Sequence, residues 1–205
     1  VARLSNLAAR LGPVKATSPR SSAKIARSLR AGHPVESWDR VVAAPAVLLF
    51  AVAGVERLIA DMAAAEVDWR ERSVILCSAK LDSGALDSLA ERGALPASLA
   101  PIHDDRYLVE GHPTACRAAR DLAGHPRQLV VEIETQSKAR FLDGFEKAAH
   151  AAAAPLTESV GYLRRSGFSA AAAHDFVATV LERRVRTRLR RRDHLTEKRY
   201  TVVER

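Results

Sequence analysis

Between Gly12 and Glu132 short apolar runs alternate with amphipathic segments, and this alternation restricts the chain more than any other feature. It is the pattern of βα units around a mainly parallel sheet. Val47 to Val52 is a continuous apolar run bounded by Pro45 and Gly54, which suits a strand buried on both faces. Further strands are expected at Pro13 to Thr17, Ser73 to Ser78, Ala97 to Pro101, Arg106 to Glu110 and Gln128 to Glu132, and His33 to Val35 reads as a brief extended segment. Helices are expected between them: Ser21 to Arg30 ended by Gly32, Trp38 to Ala43, Val55 to Ala65, Ser83 to Arg92 ended by Gly93, and Pro113 to Ala123. The expected fold class is α/β, with a doubly wound sheet.

After Thr135 the strand signals stop. Lys138 to Ala154 and Leu156 to Arg165 read as helices with a kink or break at Pro155, and Gly167 separates them from a last helix starting near Ser169. Domains are therefore expected at 1–134 and 135–205. Val177, Leu181, Val185 and Leu189 recur every four residues along the last helix and would form an apolar face. The run Ala148 to Ala154 is nearly all alanine, a strong helix former that also permits close helix approach.

Charge is uneven. The net charge is +8, yet seven of the ten residues from Arg183 to Arg192 are arginine, and without them the 25 remaining basic residues face 24 acidic ones. Such a helix could neutralise phosphates on a nucleic acid. No aromatic residues interleave for base stacking, and arginine stems can cover apolar surface beside Val185 and Leu189 while their heads interact with the helix dipole. The structural reading is preferred, and an Arg183 to Arg192 contact with nucleic acid is kept as the outside alternative.

Several function classes find no support. The longest apolar stretch, Ala43 to Val55, is far short of the roughly 20 residues a bilayer span needs, and no segment reads as a signal peptide. A soluble, cytoplasmic protein is expected. Cys77 and Cys116 form neither a disulfide framework nor a CxxC pair, and both are expected to be buried thiols. The seven histidines never fall in an HxxxH or HExxH arrangement, so no metal site is expected. His103 with Asp104 and Asp105 reads as turn chemistry at least as well as a cation loop. A Gly-x-Ser-x-Gly elbow is absent.

The opening residues, Val1 to Leu11, look like the end of a dinucleotide-binding glycine loop and the helix that follows it. In that register Ala2 and Ser5 stand at the second and third glycine positions, and the first strand and first glycine lie ahead of Val1. The next strand then ends at Thr17, Ser18, Pro19, Arg20 and Ser21, with no carboxylate. An acidic residue there favours NAD, whereas Arg20 with Ser18 and Ser21 could hold the 2′-phosphate of NADP. The alternative is that Ser21 caps the following helix and Arg20 is solvated.

Together these residues resemble a family of two-domain proteins with an N-terminal Rossmann-like domain and a C-terminal helical domain of unknown function. The family is related to deazaflavin-dependent NADP reductases and to the 6-phosphogluconate and ketopantoate dehydrogenases. Further matching residues are Arg3 and Leu4, the strand Leu48 to Val52, Ser78 after Val74 to Cys77, Leu89 to Gly93, Ser98 and Leu99 with Pro101, and Lys138 opening the helical domain.

The resemblance implies an NADP(H)-binding domain, a helical domain that packs against it and often dimerises, and a reductase site in the cleft between them. On this reading Arg3, Ser18, Arg20, Ser21, Val52, Ala53, Gly54 and Ser78 contact the cofactor. The chain departs from the pattern at Ala100 and at Phe141 with Leu142, where the family tends to carry His and a Tyr-His pair. The loop at Ala53 and Gly54 also differs. General acid chemistry needs a titratable group near the reacting atom, so Lys138 is left as the candidate proton donor, against a plain reading as a surface lysine at a helix start. The leading expectation is an NADP(H)-binding oxidoreductase acting on a small substrate. The second is a degenerate, non-catalytic member serving as a binding or dimerisation module.

Overall fold

The computed structural model describes residues 11–50, 54–103, 106–123 and 129–193, with the side chains of 103 and 184–193 left aside. Arg3, Val52 and Ala53 lie outside the described residues, as do Ala2, Ser5, Asp104, Asp105 and the side chains of Arg184 to Arg192. The chain divides into two compact units, Val1–Asp143 and Gly144–Arg205.

The first unit is α/β. Its elements are β1 (Pro13–Val14), α1 (Pro19–Leu29), β2 (His33–Pro34), α2 (Trp38–Val42), β3 (Ala46–Phe50), α3 (Val55–Ala64), β4 (Ser73–Cys77), a 3-10 turn (Ser83–Leu86) leading into α4 (Asp87–Ala90), β5 (Leu95–His103), β6 (Arg106–Gly111), α5 (Pro113–Ala123) and β7 (Leu129–Glu132). The α6 helix (Lys138–Arg165) begins in this unit and continues into the second.

Seven strands form two sheets among the described residues. One has the order β1-β2 and the other β3-β4-β5-β6-β7. Every pairing is parallel except β5 with β6. That antiparallel pair ends at Gly111, whose φ is +124°; a Cβ there would stand 2.5 Å from the Pro96 carbonyl oxygen. Only glycine fits so close to the neighbouring strand.

Alternation along the strands builds two cores. Val47 and Leu49 of β3 point with Val74 and Leu76 of β4 into one core with Trp38, Ile59, Met62, Trp69, Leu86 and Leu89. Leu48 and Phe50 face the other side, where Ile75, Ala97, Leu99, Tyr107 and Val109 pack against Ala115, Cys116 and Ala119 of α5. The two indoles are polar at one end, and both are satisfied: Trp69 Nε1 donates to the Met62 carbonyl at 3.0 Å and Trp38 Nε1 to Asp61 at 2.9 Å. Arg92 closes the end of α3 by donating to the carbonyls of Ala63 in its last turn, Ala65 at its cap and Val67 just beyond it, where helical carbonyls run out of intrahelical partners.

Several local expectations are corrected. The first helix begins at Pro19, not Ser21, because Ser18 is the cap and proline suits the first helical turn. It is ended by Arg30, left-handed at φ 51°, two residues ahead of the expected stop at Gly32, which also has a positive φ of 75°. Ser83 to Arg92 is a 3-10 turn and one short helical turn, not a continuous helix, since Asp82 accepts from the Gly84 N–H at 3.0 Å and tightens the start.

The second unit consists of the rest of α6 and α7 (Ala170–Asp193). Pro155 sits inside α6 without ending it, so the expected break is absent; the proline removes one intrahelical donor and the flanking turns hold. Gly167, at φ +97°, makes the turn between the helices. Among the described residues of this unit Ala173 alone is buried, and Phe145, Tyr162, Phe168, Phe176, Val180 and Leu181 are exposed. The expected apolar stripe is therefore half-buried at Val177 and exposed at Leu181, while Val185 and Leu189 lie beyond the described side chains. No helix of the described residues is long and apolar enough to cross a membrane.

Candidate functional site

Two clusters of polar groups stand at the ends of the parallel strands. The first follows β1. Ser18 is extended, at φ −147° and ψ 154°, and its Oγ accepts from the Ser21 N–H at 3.2 Å. Its hydroxyl donates to the Ser21 hydroxyl at 2.9 Å. The Ser22 hydroxyl accepts from the Ala16 N–H at 2.9 Å and donates to the Ser18 carbonyl, tying the strand end to the helix start. The capping role that the alternative reading gave to Ser21 belongs to Ser18. Arg20 is exposed on the first turn of α1. Residues 15–22 contain Lys15 and Arg20 and no carboxylate, so this helix start, already the positive end of the dipole, carries added positive charge.

The second cluster closes the ends of β4 and β5. Ser78 directly follows β4, and its Oγ accepts from the N–H groups of Lys80 and Leu81 at 3.1 and 3.0 Å. Its own N–H donates to the carbonyls of Leu76 and Leu99, each at 3.1 Å. Lys138 reaches in from the first residue of α6. It is 1% exposed, and its ammonium donates to the Ser78 carbonyl at 2.8 Å, the Leu81 carbonyl and the Ser98 hydroxyl. Those three acceptors match the three hydrogens of an ammonium group. The surface-lysine reading is therefore wrong: the side chain is a buried tie between α6 and the sheet.

Glu110 completes this cluster from β6, directly across from Ser98 in the β5–β6 ladder. It is fully buried. One carboxylate oxygen accepts from the Ser83 N–H at 2.7 Å; the other accepts from the Ser83 hydroxyl at 2.7 Å and from the Gln136 N–H at 3.2 Å. Burial holds the Lys138 ammonium below the usual lysine range, and the charges of Glu110, Asp82 and Cys77 oppose that shift. Burial also pushes the Cys77 thiol up to about 12 and the Cys116 thiol up to about 11, so neither is a ready nucleophile. No group of three or more His, Cys, Asp or Glu side chains that could hold a metal occurs among the described residues.

Of the residues singled out in the sequence, the structure brings Ser18, Arg20 and Ser21 together at one helix start, and Ser78 and Lys138 together with Ser98. Gly54 stands at the start of α3 with φ 82° and open space where a Cβ would be. Glu110, Ser83 and Gln136 were missed. Glu110 carried a signal, since it interrupts the apolar run from Tyr107 to Val109 and a carboxylate inside a buried strand demands partners.

No protein-family model matches the chain and no curated protein matches it. Solved structures do. A pyrroline-5-carboxylate reductase from Coxiella burnetii is 10% identical, with 96% of this chain and 76% of that one covered at a TM-score of 0.61. An imine reductase from Myxococcus stipitatus in complex with NADP+ is 12% identical over 98% of this chain and 77% of that one, also at 0.61. A reductive aminase from Aspergillus terreus in complex with NADPH and ethyl levulinate is 14% identical over 98% and 75%, again at 0.61. At such identities the likeness is one of fold, and the chain adopts the Rossmann-like α/β fold followed by helices that these reductases share.

Proposed function

We propose that this chain binds NADP(H) and is an oxidoreductase acting on a small substrate. The observation that carries the reading is the start of α1. An arginine is exposed on the first turn, two hydroxyls stand beside it, and no carboxylate lies within residues 15–22. A ribose 2′-hydroxyl would lack its usual acidic partner there, whereas a 2′-phosphate would meet Arg20, the Ser18 and Ser21 hydroxyls and the helix dipole. Structures of similar fold with NADP+ and NADPH bound support the choice of cofactor. When bound, a nicotinamide supplies the hydride, and the protein's part is to orient it and shape the site.

Gly54 contributes backbone at the head of α3 without a side chain in the way. Ser78 and Lys138 act by position. With all three ammonium hydrogens given to internal acceptors, Lys138 fixes the turn after β4 and is not placed to donate a proton. That commitment favours the second reading, a binding module without catalysis, at this one residue. Self-association through the exposed side chains of α6 and α7 belongs to the same proposal.

Titrating NADPH and NADH against the protein while following nicotinamide fluorescence tests the reading. NADPH is expected to bind more tightly, and Arg20→Ala to weaken NADPH about tenfold while leaving NADH unchanged, the loss of one charge-assisted phosphate contact. Failure of both nucleotides to bind at millimolar concentration overturns it.

A further inference from the structure

We infer that the outer face of α1 is a docking site for the sugar-phosphate backbone of a nucleic-acid duplex, held without regard to sequence by Arg20, Lys24, Arg27 and Arg30. All four residues are exposed. Arg20, Lys24 and Arg27 are four and three residues apart, so they share one side of the helix. Arg30 extends the row from the C-cap, while the buried residues Ser22 and Ala26 occupy the opposite side. From Leu11 to Val35 the chain has five basic residues and no acidic one.

Among the described residues the fold makes no use of these charges. None of the four forms an ion pair there, whereas Arg40, Arg70 and Arg120 each meet a carboxylate. Like charges three and four residues apart repel along a helix. A cation on the first turn also opposes the helix dipole, and the first turn of α1 has no acidic residue to balance Arg20. Only toward Arg27 and Arg30, at the other end, does the dipole favour a positive charge. In its first half the row therefore works against the stability of its own helix, as a surface kept for a partner would.

The spacing selects the partner. From Arg20 to Arg30 the row runs about 15 Å, at roughly 1.5 Å per residue. One strand of a duplex presents a phosphate about every 3.4 Å along its axis, so the four cations face about four phosphates. A membrane surface is a poorer match. An interfacial helix turns apolar side chains to the lipid beside its basic ones, and here Ile25 and Leu29 stand with Ser22 and Ala26 in the helical period, away from the row. No aromatic residue lies in α1, so unpaired bases would find nothing to stack on, and the backbone of a duplex is the fitting contact. Arg20 is shared with the proposed 2′-phosphate site. Lys24, Arg27 and Arg30 lie about one to three turns further along and belong to the row alone, so this inference does not rest on the nucleotide reading.

The test follows binding of a fluorescein-labelled DNA duplex of about 24 base pairs to the full chain by anisotropy, between about 50 and about 200 mM salt. Release of counterions from four phosphates is expected to weaken binding about 100-fold or more across that range. Lys24→Gln, Arg27→Gln and Arg30→Gln combined are expected to lower the slope of log K against log salt by about 2.7, about 0.9 for each contact, which shrinks the salt effect about 40-fold. Lys24→Gln and Arg27→Gln made singly are each expected to lower the slope by about 0.9, a measurement that does not depend on the triple variant folding. The same shifts are expected in a chain whose Arg186, Arg188 and Arg190 are glutamine, which separates α1 from the arginine run of α7. The proposal is overturned if the duplex does not bind at about 50 mM salt, or if the substitutions in α1 leave the slope unchanged. It is also overturned if they weaken binding to phosphatidylserine vesicles and not to the duplex, which marks a membrane-binding face.

Discussion

β3 and β4 are neighbours of equal length and similar composition, Ala46–Phe50 and Ser73–Cys77, and they end in different surroundings. In β4 four successive residues are buried, whereas β3 alternates buried and half-buried. The residues do not explain this; the neighbours do. Among the described residues β4 has a strand on each side, and β3 has β4 on one side and a groove of about 740 Å³ on the other. Their carboxyl ends differ in the same direction. β4 runs into Ser78, whose carbonyl holds the Lys138 ammonium at 2.8 Å, while α3 after β3 starts at Gly54 with no side-chain cap.

The sharpest way to break this contrast is to shorten one leucine on each strand. Leu76 is 0% exposed, and Leu76→Ala is expected to cost about 4 kcal/mol, near the top of the range for a leucine in a closed core. Leu48 lines the groove, and Leu48→Ala is expected to cost about 2 kcal/mol or less, because fewer atoms surround it. Urea unfolding of both variants reads the difference, and equal losses would mean that β3 is as enclosed as β4.

A smaller effect is expected at the β4 end. Lys138→Met keeps the stem and removes the ammonium, taking a donor from the Ser78 carbonyl and leaving the Leu81 carbonyl with the Ser98 hydroxyl alone, at 3.0 Å. Relief from burying a charge offsets part of that, so the expected loss is about 2 kcal/mol by urea unfolding. A neutral result would show that the turn after β4 holds without its tie.

The smallest effect is a pH dependence. The Cys77 thiol is pushed up from 9.0 to about 12 by burial, so the folded protein keeps a proton that the unfolded chain releases. The stability tied to that proton is fully present below about pH 9 and is lost as pH rises toward 12. Relative to Cys77→Ala, the wild type should lose about 1.4 kcal/mol by pH 10. Parallel curves for the two proteins would place the thiol in water.

Much of this contrast was out of reach of the sequence. The runs Val47 to Val52 and Ser73 to Ser78 announced both strands, because an apolar run between turn residues is a local signal. How many neighbours each strand has is not local. Strand direction was hidden in the same way, since a period of two reads identically up and down, and the reversal at β6 left only Gly111 as its mark. At the candidate site, Ser18, Arg20 and Ser21 were legible because they lie within four residues of one another. Lys138 was misread because its acceptors at Ser78 and Leu81 are 60 and 57 residues away, and nothing in its own neighbourhood predicts burial.

Cys116 gives the molecule a stopwatch. Its side chain is fully buried on the face of α5 that packs against the sheet, and the same helix sends Ala118 and Leu122 to the groove. A thiol reagent reaches it only in the moments when that helix lifts, so the rate of labelling counts those moments. The protein thus reports the breathing of its open side through an atom it already carries, and whatever steadies the groove will be seen as a slower clock.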